Sequence, residues 1–422
     1  MVKANWTVLV FLAGDNDLEG AAIKDINEME MVGSLEGKVN ILAQVDRAAD
    51  YDNSNDDWRS TRRYYITKGA DTKKITSKLI ADLGATNTGD PKVLMDFIRW
   101  GFNEYPAKHY MLVLWNHGSG FYVPPEMLLG ENAPSSREIT TRALPKLRRS
   151  MFRTAREHIL SLPPKERGIC YDDGSNDCLD NKELKNILQY ASSLIDGKKI
   201  DVLGMDACLM TMIEVAYQVK DYVKFLVGSE ETEPGDGWPY DRVIKALVDN
   251  PKINPKDLAV HIVDRYIESY DKFGEFDTDV TQSAMDLERL KDLVDSIDNL
   301  ADALLKNLQD PELDGAISKA WRKSTRFFDN YYIDLHNFAS FLKGGVKGKI
   351  QKACQYVIDA IEGRAKNVTP LVAEGHLGPR MERVKGLSIY FPPFRNPSVY
   401  YKELDFANTT KWGDFLEKYL SD

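Results

Sequence analysis

The chain has 422 residues, 43% of them hydrophobic and 28% charged, which is ordinary globular usage and excludes a disordered, collagen-like or coiled-coil protein. At about 150 residues per domain, that length allows two or three compact units, or one large α/β unit with an appendage. Lys and Arg number 55 against 65 Asp and Glu, and the net charge of -10 argues against nucleic acid or an anionic membrane as the partner.

Four cysteines, Cys170, Cys178, Cys208 and Cys354, are too few for a disulfide scaffold and lack the C-x-x-C spacing of a zinc site. No apolar run approaches the roughly 20 residues of a membrane span. The apolar stretch Val8 to Ala13 has only Lys3 before it and Asp15 and Asp17 behind it, so it reads as a buried strand and not as a signal peptide. The chain as numbered reads as cytoplasmic, or as secreted if a leader has been removed.

The first 240 residues alternate apolar runs with helical patterns, the sign of a mostly parallel sheet covered by helices. Trp6 to Ala13 is expected as the first strand, followed by a helix over about 21–32 and strands at Val39 to Val45 and Arg63 to Ile66. Asp90 before Pro91 marks a helix start. Tyr110 to Asn116 is the next strand. After a long insert, about 121–167, come a strand at Gly168 to Tyr171, a helix from about Asn181, a strand at Ile200 to Met205, a helix opening at Cys208, and a strand at Phe225 to Gly228. Residues 241–422 read as a mainly helical region packed on the 1–240 core, with one late strand at 386–391.

In an open α/β sheet, ligands bind beyond the carboxyl ends of the strands. His117 closes one strand and Cys208 follows another, so parallel neighbours would bring imidazole and thiol to one edge. A thiol in the first turn of a helix would have a lowered pKa. Gly118 and Cys208 could supply backbone N–H groups to an oxyanion. That is the outline of a cysteine acyl-transfer site. The other three cysteines read as packing residues.

These residues carry a resemblance. Leu114-Trp115-Asn116-His117-Gly118 and Asp206-Ala207-Cys208, each closing an apolar strand, resemble the clan of caspases, gingipains, legumains and separases. Leu12-Ala13-Gly14-Asp15-Asn16-Asp17-Leu18-Glu19, Gly228-Ser229-Glu230-Glu231-Thr232, Gly237-Trp238-Pro239-Tyr240 and Gly386-Leu387-Ser388-Ile389-Tyr390-Phe391-Pro392 narrow it to the clostripain-like cysteine peptidases. The resemblance implies a caspase-like three-layer α/β sandwich with a helical C-terminal subdomain. It also implies His117 as catalytic histidine, Cys208 as nucleophile, no required third residue, and cleavage after Arg or Lys. Asp206 and Asp236 are the carboxylates offered to such a side chain.

Residues 136–167 form a basic island in an acidic chain, with Arg137, Arg142, Lys146, Arg148, Arg149, Arg153, Arg156, Lys165 and Arg167 against three glutamates. For a peptidase selective for Arg or Lys, the island is its own substrate. The resemblance implies self-cleavage between His117 and Cys208, and Lys146, Arg148 and Arg149 are the candidate sites. The expected molecule is a monomer, or two associated chains after cleavage, acting on peptides or proteins with exposed Arg or Lys.

No cofactor is expected for the chemistry, although some relatives use calcium. Asp15, Asp17 and Asp172 are the candidate ligands. Asp172 to Glu183 has EF-hand length but carries Asp177 where the turn needs Gly, and Asp180 with Glu183 reads more simply as a capping pair. Two other readings remain in view: a catalytically silent protein that captures basic peptides on the same fold, and a nucleotide-binding protein. The second lacks a phosphate-cradling Gly-rich loop after the first strand.

Overall fold

The computed structural model describes residues 3–48, 51–69, 71, 73–121, 168–271, 279–327, 330–364, 369–392 and 397–421. Fourteen strands are described, and nine of them make one sheet. In chain order they are β1 (Ala4–Leu12), β2 (Val39–Val45), β3 (Arg62–Tyr65), β4 (Lys78–Asp82), β5 (Ala107–Trp115), β6 (Ile169–Asp172), β7 (Asp177–Leu179), β8 (Ile200–Asp206), β9 (Val223–Gly228), β10 (Val280–Asp286), β11 (Arg326–Phe327), β12 (Tyr332–Asp334), β13 (Leu371–Leu377) and β14 (Ser388–Tyr390). The large sheet runs β13-β10-β9-β8-β5-β1-β2-β3-β4. Its five central strands, β9, β8, β5, β1 and β2, are parallel, and an antiparallel pair flanks them on each side.

Alternation along β1 shows how the layers are built. Trp6, Val8, Val10 and Leu12 face one core with the helices Glu19–Val32, Tyr240–Asp249 and Pro255–Asp271, whereas Leu9 and Phe11 face the other with Pro91–Glu104 and Asn181–Leu194. Side chains of a strand point alternately to its two faces, so each face of the buried sheet is covered by helices. The segment Val8 to Ala13 is therefore spent inside the protein. Among the described residues no helix is long and apolar enough to cross a membrane.

The 241–422 region departs from its expected form in one respect. It is rich in helices, including Lys291–Leu305, Pro311–Lys323, Leu335–Lys343 and Gly348–Glu362, but β10 and β13 extend the large sheet beyond β9. The late strand, β14, lies instead in a separate three-stranded sheet with β11 and β12. The two halves of the chain thus share one sheet.

Candidate active site

The register of β5 and β8 sets the level of the reactive groups. Trp115 pairs with Asp206 across these parallel neighbours, and His117 and Cys208 each lie two residues further on. Adjacent strands are about 4.8 Å apart, so the two residues follow neighbouring strand ends at the carboxyl edge. Gly118 is what allows their segments to meet: a Cβ there would come 2.4 Å from the Cys208 carbonyl oxygen. Only glycine accommodates that approach.

His117 has a partner the sequence reading did not assign. Its Nε2 lies 2.7 Å from Asp17 Oδ1. Two asparagines brace this contact. Asn16, just before Asp17, and Asn116, just before His117, both donate through Nδ2 to the Tyr171 carbonyl, at 2.9 and 3.0 Å. The Asn116 Oδ1 in turn accepts from the Tyr171 N–H at 3.0 Å. The loop after β1, the loop after β5 and strand β6 are thereby tied into one edge. The acidic run Asp15-Asn16-Asp17 was the only signal, and it pointed equally to a metal.

The environment of Cys208 corrects one expectation. The helix expected to open at Cys208 opens at Ile213 (Ile213–Val219), and the thiol lies in a preceding turn, with Leu209 at φ 66°. It therefore does not sit in the first turn of that helix. Cys208 is only 6% exposed. Burial pushes its pKa up to about 12, against the opposing pull of the Glu233 and Gly118 backbone N–H groups. The Glu233 N–H donates to Sγ at 3.2 Å, and the segment 229–233 clips onto 209–211 through Leu209 N–H to Glu231 O and Thr211 N–H to Ser229 O. The thiol is thus nearly buried, with the Glu233 N–H on its sulfur.

Of the two expected pocket carboxylates, Asp206 is deep and Asp236 is peripheral. Asp206 Oδ2 accepts from the Tyr240 hydroxyl at 2.9 Å and from the Trp238 N–H at 3.3 Å. Burial raises its pKa to about 6. Asp236 is half-exposed and pairs with Lys24 at 2.9 Å. Glu233, which the sequence reading passed over, adds a third carboxyl: burial pushes it well above the usual range, and the charge of adjacent Asp206 raises it further. Asp25 lies close by, raised by burial and by Asp206, and accepts from Trp115 Nε1 at 2.7 Å. A buried acidic group of this kind suits a cationic side chain entering from outside.

The metal candidates regroup. Carboxylate oxygens of Asp15, Asp46 and Asp172 lie within 4.8 Å of one another, whereas Asp17 is turned to His117. This all-oxygen set fits a hard cation such as calcium. The stretch from Asp172 to Glu183 is not an EF-hand loop: it holds the β6–β7 hairpin, and Asp180 and Glu183 form a full capping box on the helix Asn181–Leu194. Cys170, Cys178 and Cys354 are buried. Lys146, Arg148 and Arg149 lie outside the described residues.

Comparison with known proteins follows the same lines. The Peptidase C11 family model, the clostripain family, matches residues 10–129 and 158–419. Clostripain of Hathewaya histolytica is 26% identical over 329 residues, covering 70% of this chain and 55% of that protein, so the chain spans about half the length of this relative. A secreted C11 cysteine protease of Bacteroides thetaiotaomicron, solved with an irreversible peptide inhibitor, aligns with a TM-score of 0.63 at 21% identity, over 97% of this chain and 99% of that one. An inactive zymogen C11 protease of Parabacteroides distasonis aligns with a TM-score of 0.64 at 18% identity, again over 97% and 99%. These likenesses give the fold as the caspase-like α/β sandwich. With the family match running along most of its length, the chain belongs to the clostripain family of C11 cysteine peptidases.

Proposed function

We propose that the protein is a cysteine endopeptidase that cuts peptide bonds after Arg or Lys, with Cys208 as nucleophile and His117 as its proton-transfer partner. The observation that carries this reading is the level placement of the two residues beyond the Trp115–Asp206 pair. With Nε2 against Asp17, a neutral imidazole holds its proton on that nitrogen, and Nδ1 serves the reaction. The thiol proton passes to the ring as sulfur adds to the scissile carbonyl, and the N–H groups of Gly118 and Cys208 are the donors proposed for the resulting oxyanion. The imidazolium then protonates the leaving amine, and water, deprotonated by the ring, releases the acyl group.

Specificity follows from charge. Asp206, with Glu233 behind it, receives the guanidinium or ammonium, and Asp236 meets it at the rim after exchanging Lys24 for the substrate. Cleavage after Lys146, Arg148 or Arg149 would convert the chain to two associated pieces. No step of this chemistry is assigned to a metal; calcium, if bound, has a structural role.

Hydrolysis of a short fluorogenic Arg peptide, lost in Cys208→Ala, tests the reading. Intact-mass analysis of the same pair follows self-cleavage: the wild type is expected to split and the variant to remain whole. One observation favours a second reading, the silent capture of basic peptides: the thiol is only 6% exposed and its sulfur already accepts from the Glu233 N–H. Binding of Arg peptides by the wild type, without hydrolysis even after the basic island has been cut, would select that alternative.

A further inference from the structure

Leu209, the residue after Cys208, is fully buried and has a left-handed backbone, with φ 66°. A β-carbon disfavours that region, so a residue other than glycine stays there only when its surroundings hold it. The segment 229–231 is the brace. The Leu209 N–H donates to the Glu231 carbonyl at 3.2 Å, and the Thr211 N–H to the Ser229 carbonyl at 2.9 Å. This segment is in turn fastened to β10, where Thr281 Oγ1 accepts from the N–H groups of Glu230 and Glu231 at 3.0 and 3.1 Å.

The Glu231 side chain extends the brace into the C-terminal region. It is 4% exposed; its Oε1 accepts from the Thr232 N–H at 2.9 Å and the Thr232 hydroxyl at 3.2 Å, and its Oε2 accepts from Arg380 Nη2 at 3.3 Å. Among the described residues Arg380 is the only basic side chain paired with it. Arg380 is itself fixed through Asp279, with its N–H donating to Oδ1 at 3.1 Å and its Nη1 lying 3.4 Å from Oδ2. Its turn follows β13 and is anchored by the fully buried Met381 and Val384. Burial pushes the Glu231 carboxyl above its ordinary pKa, against the pull of the Thr232 N–H and of the Arg380 charge. An ion pair with both partners in water contributes little, but here one partner is buried. A buried carboxylate that loses its cation takes up a proton or moves toward water.

We propose that Arg380 is a positioning residue for the nucleophile, holding the Leu209 turn through Glu231 and so keeping the Cys208 thiol in place beyond β8. The proposal rests on the peptidase reading and goes beyond it by giving the C-terminal region a part in the site. Without the guanidinium, Glu231 turns outward and its carbonyl leaves the Leu209 N–H. The Glu233 N–H, two residues on, then leaves the sulfur. Turnover falls while the thiol becomes easier to reach.

The test is a double-mutant cycle in the full-length protein. Arg380→Met keeps the stem and removes the charge, Arg380→Lys keeps the charge, and Glu231→Gln keeps an oxygen for Thr232 but no longer needs a cation. Two quantities are read under conditions where urea unfolding shows every variant folded: hydrolysis of a fluorogenic Arg peptide, and the rate at which iodoacetamide alkylates Cys208, located by peptide mass. Arg380→Met should lower kcat at least about tenfold with KM within about twofold, and should speed alkylation at least about threefold. Arg380→Lys should recover part of both changes. In the Glu231→Gln background, Arg380→Met should alter either quantity by less than about twofold, because the coupling has been removed. Unchanged kcat and alkylation in Arg380→Met, or effects of the same size with and without Glu231, would overturn the proposal. If the wild type hydrolyses no Arg peptide, the peptidase reading fails, and the alkylation cycle alone still decides whether Arg380 holds the thiol turn.

Discussion

Asp17 Oδ1 lies 2.7 Å from His117 Nε2, although the two residues stand 100 apart in the sequence. A carboxylate in that position fixes both the ring's orientation and which nitrogen carries the proton. Replacing Asp17 with Asn keeps the size and removes the charge. The expected result is a fall in kcat of about 10- to 100-fold on an Arg peptide, with KM little changed, because the proton-transfer step and not the pocket is affected. Asp17→Glu should recover part of the loss. An unchanged kcat in Asp17→Asn would remove Asp17 from the mechanism.

Gly118 packs against the Cys208 segment so closely that a methyl group must move backbone. Gly118→Ala is therefore expected to separate the two loops, at a cost of about 1–3 kcal/mol in stability. Loss of hydrolysis should be far larger than that stability change suggests, at least about 100-fold, since misplacement by about 1 Å at a reacting centre has that effect. Urea unfolding and steady-state kinetics on one preparation separate the two quantities. Equal activity in a folded Gly118→Ala protein would show that the reaction does not depend on this close approach of the two loops.

Much of this edge was legible because its determinants are local. Apolar runs bounded by Gly, Asn and Asp gave β5 and β8, and their ends placed His117 and Cys208. The Asp90 cap and the Asp180–Glu183 box were readable for the same reason. What was not legible depends on contacts between distant segments. Asp17 meets His117 across loops, Glu233 reaches the thiol through its backbone, and β10 and β13 join the sheet by long-range antiparallel pairing. The helix start at Cys208 failed because apolar spacing from Leu209 onward does not reveal a turn held by the 229–233 segment.

Burial holds Asp206 at about 6, and its proton matters for a cationic substrate. Above that pH the carboxylate attracts a guanidinium; below it the neutral acid does not. KM for an Arg peptide should therefore rise as pH falls through about 6. Asp206→Asn should raise KM about 30-fold or more at pH 8 and flatten its pH dependence, since a buried cation loses its counter-charge. A KM in Asp206→Asn that still follows the wild-type pH curve would place specificity elsewhere.

Glu214 offers a test of how the C-terminal region is held. It is fully buried, and its Oε1 accepts from the Tyr390 N–H at 3.0 Å and the Tyr401 hydroxyl at 2.9 Å, while burial raises its pKa to about 7. A folded pKa above the unfolded one means that the stabilising form is the protonated one. Its contribution is complete below the ordinary glutamate range and is lost as pH rises from about 4.5 through about 7, a difference on the order of 3 kcal/mol. Glu214→Gln keeps an acceptor for both tyrosines and cannot ionise. Urea unfolding of Cys208→Ala protein at pH 5 and pH 8 should show a decline with pH that is smaller by about that amount once Glu214→Gln is added. An identical decline in the two proteins would mean that Glu214 is already ionised at pH 5, and that the tyrosines are held by a carboxylate.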